Sequence, residues 1–74
     1  MNFEEFEKKI AEKDYGIVAM NHYSIKGKRY TYCVVFNKSK GKAFQSEAQD
    51  SKEVFENIYN QIINLSKEEK WKSQ

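Results

Sequence analysis

Apolar residues recur along this chain with two different periods, and the change of period marks out the elements. In the first segment Phe3, Phe6 and Ile10 follow one another at spacings of three and four, which puts them on one face of a helix. Asn2 stands where an N-cap belongs and Glu5 follows three residues later as its reciprocal partner. Glu4, Glu5 and Glu7 suit the positive end of the helix dipole. The pattern predicts a helix over 2–14.

The period then shortens. Residues 15–24 predict a first strand, and Lys26-Gly27-Lys28 supplies a turn. Arg29–Asn37 (RYTYCVVFN) is dense in β-branched and aromatic residues and predicts a second strand. Lys38-Ser39-Lys40-Gly41 predicts a hairpin turn, and residues 42–48 a third strand. Helical spacing returns over 50–65, where Val54, Phe55, Ile58, Ile62 and Leu65 form a stripe and Asp50 with Glu53 has capping-box spacing. Ser66 with Glu69 predicts a last short turn carrying Trp71, within a tail of 66–74. Short turns join the strands, so they are antiparallel. The expected fold class is α+β: a three-stranded antiparallel sheet flanked by an N-terminal and a C-terminal helix, α-β-β-β-α, in one domain over 1–74.

Strand alternation divides the second strand into two sets, Tyr30, Tyr32, Val34 and Phe36 on one side and Thr31, Cys33 and Val35 on the other. The first set is assigned to the face that the helices cover. The expected core is then Phe6, Ile10, Tyr32, Val34, Phe36, Phe55, Ile58 and Ile62. The other sheet face exposes Cys33 and Val35, beside Val18, Met20 or Phe44. An arrangement in which helices or loops wrap part of both faces fits the alternation equally well.

Composition narrows the function. A chain of 74 residues makes one modest core. Aromatic residues at 15% speak for a folded chain, since disordered ones are poor in them. No apolar run approaches the length of about 18 residues that spans a membrane, and the acidic N-terminus does not resemble a signal peptide. The single cysteine, Cys33, forms no internal bridge, which favours a cytoplasmic location over a secreted one. One histidine, His22, and one cysteine cannot close a zinc site or demand a catalytic triad. The three glycines are scattered and form no phosphate-cradling loop. The expectation is a non-enzymatic binding protein without metal or cofactor.

Charge supplies two candidate surfaces. Residues 26–42 carry Lys26, Lys28, Arg29, Lys38, Lys40 and Lys42 and no acid. With Tyr30 among them, these are the candidate nucleic-acid-binding residues, because bases interleaved with aromatics bind phosphates and stack nucleobases. Glu47, Asp50, Glu53 and Glu56 form an acidic stretch opening the last helix and are the candidate protein-binding residues. The plain alternative for both sets is a solvated surface, with hairpin lysines keeping the sheet edges from pairing.

Two resemblances bear on these candidates. Tyr30-Thr31-Tyr32-Cys33-Val34-Val35-Phe36 and Ser51-Lys52, within an α-β-β-β-α order, resemble the double-stranded-RNA-binding domain over roughly residues 15–62. That resemblance implies RNA binding at the start of the last helix. The family's lysine cluster is represented there by Lys52, followed by Glu53 and Glu56, and its Gly-Pro-x-His loop has no counterpart. Lys13-Asp14-Tyr15 and Ser46-Glu47-Ala48-Gln49-Asp50-Ser51 are similar to motifs of a family of small phage anti-CRISPR proteins, across most of the chain. That resemblance implies an inhibitor that docks on a host protein or nucleoprotein complex, such as a CRISPR effector nuclease. The leading expectation is therefore an inhibitor or regulator of phage or mobile-element type. A direct nucleic-acid-binding module and a small self-associating domain, for instance a homodimer, are the alternatives.

Overall fold

A computed structural model gives the element order α1 (Phe3–Ala11), β1 (Gly16–Ile25), β2 (Lys28–Asn37), β3 (Lys42–Ala48) and α2 (Ser51–Lys72). It describes residues 1–72, with side chains described through Lys67. The expectations for the Trp71 side chain and for residues 73–74 lie outside the described residues. The sheet is antiparallel with the order β1-β2-β3, as the α-β-β-β-α reading requires.

α1 begins where expected: the Asn2 side-chain oxygen accepts a hydrogen bond from the Glu5 amide at 2.8 Å. It ends earlier than the polar pattern through Asp14 suggested. The Tyr15 amide donates to the Ile10 carbonyl at 2.9 Å and the Asp14 amide to the Ala11 carbonyl at 3.0 Å, with Asp14 at φ 66°. This is a Schellman ending, with aspartate at the left-handed position that glycine usually fills. The reversal turns Tyr15 inward, where it packs in the core with Ile10.

Lys26 and Gly27 both have positive φ, 52° and 79°, and close a two-residue turn between Ile25 and Lys28. Two left-handed residues make a type I′ turn, whose twist matches that of the strands it joins. β3 pairs with β2 only from Thr31 to Asn37. Residues 28–30 and their β1 partners 23–25 therefore extend past β3 as a two-stranded ribbon.

α2 opens with the Asp50 carboxylate accepting the Lys52 amide at 3.0 Å. It then runs to Lys72 without the break expected at Ser66. The stretch Ser66-Lys67-Glu68-Glu69-Lys70 has neither glycine nor proline to end a helix.

Both helices lie on one face of the sheet, and that face is not the expected one; it carries the smaller side chains. Cys33, Val35 and Thr31 are buried beneath the helices with Asn37. Tyr32 and Val34 are half-buried and Phe36 is exposed, on the opposite side. The expected core holds for Phe6, Ile10, Phe55, Ile58 and Ile62 and fails for Tyr32, Val34 and Phe36. Met20 and Phe44, expected beside an exposed Cys33, pack against the core; Val18 alone of that group is exposed. The reason is volume. The helices bring Phe6 and Phe55, stacked at 4.6 Å, and the sheet must answer with small side chains to let them approach.

Among the described residues Asn37 is the one fully buried side chain with an amide. Its nitrogen donates to the Lys13 carbonyl at 3.2 Å and its oxygen accepts the Lys40 amide at 3.0 Å. It thus ties the end of β2 to the α1–β1 junction and to the β2–β3 turn.

Candidate functional site: the open face of the sheet

With both helices on one side, the other side of the sheet carries the side chains of β2 that alternation directs away from the core. Tyr30, Tyr32, Val34 and Phe36 run along its centre. The register sets Tyr23 opposite Tyr30, Asn21 and Glu47 on either side of Tyr32, Ala19 and Gln45 on either side of Val34, and Gly16 and Ala43 on either side of Phe36. A β-bulge between Ile17 and Ala19 inserts Val18, which is 62% exposed. Ile25 at the ribbon end (53%) and Phe36 (38%) are the other large apolar side chains exposed on the sheet. The result is an aromatic and aliphatic stripe along one sheet face.

The tyrosines of this stripe are held in place. The Tyr23 and Tyr30 rings stack at 5.6 Å with 19° between their planes. Tyr23 hydrogen-bonds the Glu47 carboxylate, and this bond, with partial desolvation and the negative charge itself, pushes its hydroxyl up to about 12. The Tyr32 hydroxyl donates to Gln45 Oε1 at 2.7 Å. Both hydroxyls are thus anchored on β3, and the rings are set before any partner arrives.

The acidic residues do not form one cluster. Glu47 belongs to the open face through its bond to Tyr23. Asp50, Glu53 and Glu56 line a shallow depression of about 370 Å³ on the outer side of α2, with Met1, Lys52, Asn57 and Asn60. There Asp50 caps the helix, and Glu56 lies 3.6 Å from the Met1 ammonium.

The basic residues are divided as well. Lys26, Lys28 and Arg29 lie at the ribbon end and Lys38, Lys40 and Lys42 at the other end of β2. Residues 30–37 of β2 separate the two groups by about 30 Å. Of the nucleic-acid candidates Tyr30 and Lys28 fall on the open face, Lys28 opposite Ile25 and the Tyr30 ring covered by Tyr23.

His22 is exposed, and its Nδ1 lies 3.0 Å from the Thr31 hydroxyl. Cys33 is buried, and burial pushes its thiol up, so little reactive thiolate forms near neutrality. Among the described residues no three His, Cys, Asp or Glu side chains are grouped to hold a metal ion. No helix among them is long and apolar enough to cross a membrane.

Sequence reasoning found none of Tyr23, Tyr32, Val34 or Phe36 as surface residues. The available signal was that both alternating sets of β2 are apolar, and only one set can be covered by two helices on a single side. Comparison of the chain with protein families, with curated proteins and with solved structures found no match.

Proposed function

We propose that this chain is a non-catalytic binding protein that docks on a protein surface through the open face of its sheet, and acts as an inhibitor or regulator of what it docks on. The observation that carries this reading is the one-sided placement of the helices, which leaves Tyr23, Tyr30, Tyr32, Val34 and Phe36 outside the core. Tyrosine suits such a face, because it offers large contact area with few rotors to freeze. Anchoring by Glu47 and Gln45 lowers that ordering cost further.

Direct nucleic-acid binding is the second reading, and one observation favours it: the ribbon end carries Lys26, Lys28 and Arg29 next to two tyrosines. Two others weigh against it. Tyr23 and Tyr30 spend their ring faces on each other rather than offering them to a base, and Glu47 places an acid among them.

A pull-down from a lysate of the native host, with and without nuclease, separates the two. The expected result is a protein partner that survives nuclease, is lost with Val34→Glu or Glu47→Lys, and is kept with Glu53→Lys and Glu56→Lys. If nuclease removes every partner, and Lys26, Lys28 and Arg29 changed to Gln abolish binding, the nucleic-acid reading replaces this one. Three phosphate contacts on duplex DNA would then give a slope of log K against log salt of about −2.7.

A further inference from the structure

A three-stranded open sheet has two outer edges, and here they are treated differently. Along β3 the Gln61 amide donates to the Gln45 main-chain carbonyl at 3.3 Å, and the Asn57 amide to the Ser46 hydroxyl at 3.3 Å. α2 thus covers β3 and occupies part of its outward hydrogen-bonding row. α1 packs against β1, but among the described residues no helix side chain hydrogen-bonds its outward main-chain row. The ten residues of β1, GIVAMNHYSI, include no Lys, Arg, Asp, Glu or Pro, the residues that usually keep an edge from pairing. The β-bulge at Val18 interrupts it near its start only.

We propose that two copies of this chain pair through β1, edge to edge and antiparallel, into a continuous six-stranded sheet. The backbone dictates which groups meet. Ile25 and Lys28 close a two-residue turn and so exchange both their hydrogen bonds. Alternating back from that pair, Ile25, Tyr23, Asn21 and Ala19 bond to β2, which turns the amides and carbonyls of Ser24, His22 and Met20 to the free edge. The bulge leaves Ala19–Ile25 as the regular stretch, and its centre is His22. A two-fold axis at His22 sets His22 against its own copy and Met20 against Ser24, every outward donor facing an outward acceptor.

Charge selects a second copy as the occupant and the antiparallel sense as its direction. The start of β1 follows Glu12, Lys13 and Asp14, two acids and one base; its end leads into Lys26, Lys28 and Arg29, three bases. Antiparallel pairing brings the acidic start of one copy toward the basic ribbon end of the other, twice by symmetry, around an uncharged centre. The paired sheet has β3 at both outer edges, each covered by α2, so assembly closes at two copies. Because the two-fold axis runs perpendicular to the sheet, all helices fall on one side and the two tyrosine stripes on the other. The pairing does not depend on what the open face docks.

Sedimentation velocity of the full chain from low to high micromolar concentration tests this. The wild type is expected to dimerise. His22→Pro removes an outward amide, and with the imidazole the partner of the Thr31 hydroxyl, but leaves the β2 ladder intact, a place where a strand tolerates proline. It is expected to keep the far-ultraviolet circular dichroism of the fold and to weaken the dimer about 30-fold or more, through two lost main-chain hydrogen bonds. Should His22→Pro fail to fold, His22→Lys carries the test: it opposes two like charges on the axis and is expected to give a folded monomer. A wild-type chain that stays monomeric throughout overturns the proposal. So does a dimer that survives His22→Lys, or one dissociated by Val34→Glu on the open face and not by either His22 variant.

Discussion

Single residues carry much of the strain and much of the precision in this fold. Asp14 and Lys26 both occupy left-handed backbone, which costs a residue with a side chain about 1–2 kcal/mol. Asp14→Gly and Lys26→Asn are therefore expected to stabilise the chain by about 0.5–1 kcal/mol each, since glycine favours a Schellman ending and Asn-Gly a type I′ turn. Thermal melts should rise by about 4–8 °C per kcal/mol in a domain of this size. Asn37 works in the opposite direction. Asn37→Ala leaves the Lys13 carbonyl and the Lys40 amide without their buried partner and is expected to cost about 1–3 kcal/mol, measured by urea unfolding. Tyr23 adds a pH dependence. Its hydroxyl is raised to about 12 from an ordinary value of 10.0 by Glu47. A raised value means that the contribution of this bond is fully present below pH 10 and is lost as pH climbs toward 12. Tyrosinate absorbance should show one tyrosine titrating late, and Glu47→Gln should bring it back toward the ordinary range. The turn at Lys26-Gly27 was legible in the sequence, whereas Asn37 and Tyr23 were not, because Asn37 reaches Lys13 and Tyr23 reaches Glu47 far along the chain, where no local pattern announces them.

At the scale of elements the sequence was legible in kind and order. Periods of 3.6 and 2 and the turn residues placed two helices and three strands within a few residues of where they lie, except at the end of α2, which runs on to Lys72. The orientation of β2 was not legible, for a stated reason: both of its alternating sets are apolar, and residue size points to the wrong one. Packing depends on the fit between layers, and the large rings of Phe6 and Phe55 on the helices select the small set, Thr31, Cys33 and Val35, beneath them. Two truncations check this orientation. Phe55→Ala, in the core, is expected to cost about 3–5 kcal/mol. Phe36→Ala, on the open face, is expected to cost under about 1 kcal/mol. Equal costs would mean that the sheet is turned over. The same orientation decides the candidate site, because residues assigned to a core cannot also be seen as a surface.

For the whole molecule, the layer count is what matters: two helices, one sheet, and, among the described residues, no element on the sheet's far side. The pairing Phe6–Phe55 also joins the first helix to the last across about two thirds of the chain. By contrast, β1 and β2 are joined by a two-residue turn and β2 and β3 by a four-residue one. Hairpins with such short turns close in about 1–10 μs, while a contact between distant segments first meets the entropy of a long loop. The sheet and α2 are therefore expected to assemble before α1 arrives. In stopped-flow refolding, Phe6→Ala should leave the folding rate almost unchanged and place its whole destabilisation in faster unfolding, whereas Val35→Ala should slow folding. The first helix would then behave as a clasp, fastened last and released first.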